Sequence, residues 1–207
     1  MRFREFSKLT EFDAGSAISS AGNIISMLSN PLGALDNITG TTSTDSAGAG
    51  SSTADIATIQ DPDFNRKLEK VANKLGVRAN DLLAIMKQES GVDPSRVNST
   101  SNATGLIQFM PDTARRLGTT TDALAKMSAV EQLDYVYLYY KSVKLKPGSD
   151  AGDMYVATFY PAAAGQPDNY VISSRGNKVY NQNAGLDRNK DGTITVGDVK
   201  KSVSRFV

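Results

Sequence analysis

The chain contains no histidine, no cysteine and no tryptophan in 207 residues. Without cysteine there is no disulfide and no thiolate chemistry, although this does not fix the compartment. Without histidine there is no Ser-His-Asp or Cys-His site, and lacking both excludes an ordinary structural zinc site. Acid–base chemistry therefore falls to carboxylates, with tyrosine and lysine as the other candidates. Charge of one sign is also missing: 23 basic residues meet 22 acidic ones, so nothing marks a nucleic-acid-binding surface. No apolar run nears the roughly 18 residues of a membrane span. The opening MRFREF mixes charges and has no adjoining apolar core or cleavage site, so no secretory signal is expected.

What is present changes character near residue 60. From Thr39 to Asp55 every residue except two aspartates is Ser, Thr, Gly or Ala. Such a stretch buries too little apolar surface to offset its ordering entropy and reads as a flexible linker over residues 39–60. Residues 1–38 form a leader in which Ile18, Ala21, Ile24, Ile25, Leu28, Leu32 and Leu35 fall at loosely helical spacing, interrupted by Pro31 and Gly33. The leader is either unstructured or a segment that docks onto a partner, and periodicity alone does not separate these.

From Asp61 the pattern tightens into helices. Asp61-Pro62 opens one with the apolar face Phe64, Leu68, Val71 and Leu75, stopped by Gly76. Asn80 or Asp81 is expected to cap the next, which carries Leu82, Leu83, Ile85 and Met86. Pro111 starts a short helix ending at Gly118, and Ser128 with Glu131 forms a capping box before Leu133, Val136, Tyr137 and Tyr140. Another helix is expected over residues 150–160 and a last one closes the chain. No sustained period-two alternation occurs, so the fold class is mainly α. Residues 61–180 form the expected helical domain and residues 181–207 a C-terminal addition.

The stretch MKQESGVDP places Glu89 on the last turn of an apolar helix that Gly91 then stops. The negative end of the helix dipole disfavours an ionised carboxylate there. Burial beside Leu82, Ile85 and Met86 would push the same way, and an acid catalyst must hold its proton near neutral pH. A poor place for a charge is a good place for a proton donor. Two further stretches stand out. NATGLIQFMP sets Gln108 between Ile107 and Phe109, an amide suited to the hydroxyls and N-acetyl groups of a sugar. ATFYPAAAG ends an apolar helix on the phenol of Tyr160. Taken singly, each residue has an ordinary structural explanation: a surface acid, a loop amide, a core aromatic.

In their order, ESGVDP, GLIQFMP and FYPAAAG resemble the catalytic domain of soluble lytic transglycosylases, which are related to goose-type lysozymes. The FYPAA form is most similar to versions carried by bacteriophages as virion-associated cell-wall enzymes. The resemblance covers roughly residues 61–180 and implies a lysozyme-like helical fold that acts on peptidoglycan glycan strands. It makes Glu89 the general acid and Ser90 a support of the site geometry, with Gln108 in the sugar cleft. Tyr160 matches the tyrosine of the family's AYNAG block, where this chain has Pro161 and Ala163 in place of Asn and Gly. PDNYV adds Tyr170 as a further substrate-binding residue. Asp93, the acid nearest Glu89 in sequence, reads as a turn residue before Pro94.

Most glycosidases need two carboxylates. In the resembled enzymes one suffices, because the substrate's N-acetyl or 6-hydroxyl group is the nucleophile and a 1,6-anhydro-muramic end results. Goose-type enzymes add water instead, and the motifs favour the lytic outcome without fixing it. With no visible export signal, the expected setting is a phage particle or an endolysin acting at the cell wall. The leader would then be the contact to tail or baseplate proteins. The rival reading is a structural or adaptor virion protein that binds glycan or protein without turnover, and it leaves an intact Glu89 without a purpose.

The C-terminal DRNKDGTITVGD has the length and order of an EF-hand calcium loop. Asp187, Asn189 and Asp191 fall at positions one, three and five, Gly192 at six, Thr193 with its carbonyl at seven, and Asp198 at twelve. The preceding NQNAGL leaves no room for a full entering helix, and Asp stands where Glu usually closes the loop. A structural calcium of modest affinity is therefore expected, with a polar turn capping the last helix as the alternative.

Overall fold

The computed structural model describes residues 61–207. The leader and linker of residues 1–60 lie outside the described residues. The described part is mainly helical, in agreement with the pattern read above.

Helix α1 (Pro62–Leu75) starts where the Asp61 carboxylate accepts from the amides of Asp63 and Phe64, with Pro62 in the first turn. It buries Phe64, Leu68, Val71, Ala72 and Leu75 and stops at Gly76, whose φ of 72° is left-handed. Helix α2 (Ala79–Ser90) follows after three residues and corrects one expectation. Its N-cap is Arg78, not Asn80 or Asp81. Asp81 sits inside the first turn, buried, and takes a two-pronged pair from Arg78 at 2.7 and 2.8 Å. The pair accounts for a buried acid at the positive end of a helix.

Nine of the twelve residues of α2 are buried, so the helix is enclosed nearly all round rather than amphipathic. Its neighbours are α1, α6 (Ala151–Phe159), α8 (Val196–Val203) and the 3₁₀ turn Ser204–Phe206. Helices α3 (Pro111–Arg116) and α4 (Thr121–Leu124) are short connectors before α5 (Ala129–Ser142), which packs along α1. The Ser128–Glu131 capping box that starts α5 forms in both directions.

After α6 the chain makes a 3₁₀ turn, Pro161–Ala163, and then strand β1 (Val171–Ser174), helix α7 (Lys178–Asn183) and strand β2 (Thr193–Thr195). The strands pair antiparallel, with a register irregularity between Val171 and Ser173. Runs of three and four residues are too short to give a period-two signal, which is why the sequence reads as helix and loop alone. Helix α8 buries Val196, Val199 and Val203 against α6. Lys200 bridges Asp153 at 2.9 Å and Asp168 at 3.0 Å, and the amides of Val196 and Gly197 donate to the carbonyls of Tyr170 and Asp168. The C-terminal segment is thus tied to the stretch that carries Tyr170. No helix among the described residues is long and apolar enough to cross a membrane.

Candidate active site

Helix α2 delivers Glu89 to the inside of the fold, where the residue is only 1% exposed. Its Oε1 atom is buried with no hydrogen-bond partner. Burial raises the carboxyl pKa to about 8, and the nearby Tyr155 hydroxyl pulls modestly the other way. No carboxylate is among the influences on it. Asp93 is exposed and occupied by the amide and hydroxyl of Ser95, at 2.8 and 2.7 Å. Glu89 can therefore carry a proton at neutral pH, and no other carboxylate acts on its ionisation.

The helix ends one residue later. Gly91 (φ 69°) closes it by donating to Lys87 O, and Val92 N reaches Met86 O. The Ser90 hydroxyl is within hydrogen-bond distance of Met86 O (3.2 Å) and Leu106 O (3.0 Å). Ser90 thus joins the end of α2 to the 104–109 loop, a bracing position next to the acid.

Besides its own backbone bonds, that loop is held by a residue the sequence motifs do not single out. Gln132 of α5 is completely buried. Its Oε1 accepts from Leu106 N (2.9 Å), and its Nε2 reaches Pro94 O (2.6 Å) and Leu124 O (2.8 Å). One amide satisfies three loops. The only hint in the sequence is a polar residue on the apolar stripe of α5. Gly105 is required at the same point, because a Cβ there would lie 2.3 Å from Gln132 Oε1 and its φ is +82°. Gln132→Ala should cost roughly 3–5 kcal/mol, from two carbonyls and one amide left buried and unpaired. Chemical denaturation of the purified variant measures this, and a loss below about 1 kcal/mol would show that water replaces the amide.

Gln108 has φ +51° and turns its amide inward: Nε2 donates to Gly105 O (3.1 Å) and Arg96 O (3.3 Å). This geometry commits the amide nitrogen to two backbone carbonyls, and the side-chain oxygen is the group left for a ligand. Phe109 meets Tyr139 edge-on at 6.4 Å. Tyr139 donates to Ala157 O (3.0 Å), and Tyr140 pairs with the Thr158 hydroxyl (2.9 Å). Both phenols are buried and feel the charge of Glu89, so their ionisation is pushed upward. Tyr160 is the C-cap of α6, half-buried against the core. Tyr170 is 39% exposed, on the segment bound to α8. No hydrogen bond joins either tyrosine to Glu89.

The first half of this arrangement matches a known family. Residues 67–134 match the transglycosylase SLT domain. The SLT match takes in Glu89, Ser90, Gln108 and Gln132 and stops before Tyr155, Tyr160 and Tyr170. Membrane-bound lytic murein transglycosylase C of Actinobacillus pleuropneumoniae serotype 5b (strain L20) is 36% identical over 90 residues, 44% of this chain and 22% of that protein. The proteins of the same name from serotype 3 (strain JL03) and serotype 7 (strain AP76) match equally. The chain spans about a fifth of the length of these curated relatives.

The C-terminal loop keeps its expected order but is closed on itself. Asp187 accepts from Asp191 N (3.1 Å), Gly192 N (2.9 Å) and the Tyr180 hydroxyl (2.6 Å). Asp191 accepts from Thr193 N, Thr193 Oγ1 and Asn189 Nδ2. Asp198 completes a capping box with Thr195 at the start of α8. These bonds hold Asp187 and Asp191 below the usual carboxylate range. Among the described residues no group of three or more acidic side chains is gathered as a metal site.

Proposed function

We propose that the protein is a lytic transglycosylase that cleaves the MurNAc–GlcNAc β-1,4 bond of peptidoglycan with Glu89 as its single acid. The observation that carries this is a buried, proton-holding glutamate inside the SLT match, with no carboxylate acting on it. A two-carboxylate mechanism needs a second acid about 5–9.5 Å away. With one acid, protonated Glu89 gives its proton to the glycosidic oxygen as that bond breaks. The muramic 6-hydroxyl closes on the anomeric carbon, and its proton returns to the carboxylate. Both steps use one group, and the product is a 1,6-anhydro end. Ser90 and Gln132 fix the loop that faces the acid, the Gln108 oxygen accepts from a sugar hydroxyl, and Tyr160 and Tyr170 extend the binding surface. Because Glu89 is enclosed, the glycan has to displace the side chains that cover it.

The experiment is mass spectrometry of muropeptides released from purified peptidoglycan. Anhydro-muramic ends support the lytic reaction. Reducing ends would mean that water is the nucleophile, and no release would leave a glycan-binding protein. The resemblance of the FYPAAAG block to bacteriophage versions supports a virion-associated enzyme acting at the cell wall, with the leader as its contact to tail or baseplate proteins. A particle assembled without residues 1–38 that still packages the protein would remove that role for the leader.

The proposal extends to calcium as a structural ion of the C-terminal loop. The donors are oxygens only, which fits a hard cation, and Asp187, Asn189, Asp191, Thr193 and Asp198 would hold it. Calcium should raise the melting temperature, with a linkage of about 2.7 kcal/mol when calcium is one hundred times Kd. Magnesium should substitute poorly and Asp191→Ala should abolish the response. Superimposable melting curves with chelator and with millimolar calcium would make the loop a self-satisfied polar turn.

A further inference from the structure

The catalytic proposal leaves one buried phenol unused. Tyr155 on α6 is wholly enclosed, and its hydroxyl, like Glu89 Oε1, has no partner in hydrogen-bond geometry. The two other buried phenols of this region are committed, Tyr139 to Ala157 O and Tyr140 to Thr158. Around the Tyr155 hydroxyl lie the side chains of Glu89, Gln88 and Ser202. Ser202 donates its own proton to Val199 O at 2.7 Å, and Gln88 Oε1 accepts from Arg205 at 3.1 Å.

We propose that Tyr155 is a positioning residue for Glu89, holding its carboxyl in one orientation through both protonation states and linking it to the C-terminal helix α8. The proposal rests on Glu89 being the acid. A phenol both donates and accepts. It can donate a hydrogen bond to the ionised carboxylate and accept one from the neutral acid while keeping its own proton, so one side chain serves both halves of a cycle in which the acid discharges and is recharged. Catalytic hydrogen bonds that are open in a free enzyme commonly close in the complex. Ser202 brings α8 into the same contact, so the last helix bears on the acid through this ring. The other groups that feel or border the carboxyl are Tyr139 and Tyr140 from α5. Beyond them, Arg116 acts on Tyr139, and Arg205 of the C-terminal turn holds Gln88.

The test is the pH profile of peptidoglycan cleavage by full-length Tyr155→Phe. The hydroxyl favours the carboxylate, so its removal makes Glu89 harder to ionise. The alkaline limb should move to higher pH, and the rate at the optimum should fall roughly tenfold, the size of one charge-assisted hydrogen bond. A lower rate with an unmoved limb would be a packing effect and would overturn the proposal. Glu89→Gln separates the two levels. If it stays active, the acid assignment fails and the proposal with it. If it is inactive while the Tyr155→Phe limb stays put, only the positioning role fails. Should Tyr155→Phe not fold, the wild-type protein labelled with carbon-13 at the tyrosine ring carbons gives the answer. The assigned Tyr155 signal should titrate with the Glu89 midpoint in wild type and lose that step in Glu89→Gln. A flat Tyr155 signal in wild type overturns the idea.

Discussion

Glu89→Gln should reduce glycan cleavage by about 100- to 10,000-fold while the helical spectrum stays native. The amide keeps the shape of the protonated acid and removes its transferable proton. The wild-type rate should in turn fall on the alkaline side with a midpoint near the raised pKa of about 8, because only the protonated form can donate. Turbidity clearing of a cell-wall suspension across a pH series from acid to base measures both. A folded Glu89→Gln protein that clears at the wild-type rate removes the acid from the mechanism.

The same substitution should make the protein more stable in base. Burial raises the Glu89 pKa from 4.5 to about 8, so between these values the folded protein holds a proton that the unfolded chain has released. Stability then falls as pH rises through that window. Above the folded pKa the full cost of an ionised buried carboxylate is present, on the order of a few kcal/mol. The neutral amide of the variant carries no such cost. The two melting temperatures should agree near the lower end of the window and separate steadily toward its upper end, with the variant higher by about 2–4 °C per kcal/mol. Parallel curves across the whole window would mean that the carboxyl ionises freely in the folded state.

Local signals in the sequence carried the helices well. Asp61, Pro62 and Gly76 bracket α1 because a cap, a fixed φ and a left-handed stop all act within a few residues. The Ser128–Glu131 box did the same for α5. Asp81 misled, since a buried aspartate paired with a largely exposed Arg78 resembles a cap when only residue types are visible. The burial of Glu89 was legible because it follows Leu82, Leu83, Ile85 and Met86 on a helix too apolar to lie at the surface. The residues around it from elsewhere in the chain were not. Gln132 lies 43 residues away along the chain and Tyr155 lies 66 away (132 − 89 and 155 − 89), and neither stretch carries a period that points at the acid. The bonds that Gln108 makes were hidden for a related reason: at a φ of +51° its amide nitrogen reaches the carbonyls of Gly105 and Arg96, which residue type alone does not reveal.

The three-way grip of Gln132 also bears on how this scaffold could be redesigned. If the protein cleaves glycan as proposed, anyone wishing to change its preference would vary the loops around Pro94 and Leu106, the second of which Ser90 joins to the end of α2. Both loops, and the α4 end at Leu124, are registered to one amide through backbone atoms rather than side chains. Leu106, Ile107, Phe109 and Leu124 belong to the core, so only exposed side chains there, such as Ser95 and Val97, can be exchanged, and the carbonyls and the Leu106 amide must stay in place. An insertion or deletion of a single residue cannot keep all three, and it would shift the loop that Ser90 braces beside Glu89. Libraries for this scaffold should therefore hold loop length and Gly105 constant and draw diversity from residue identity alone.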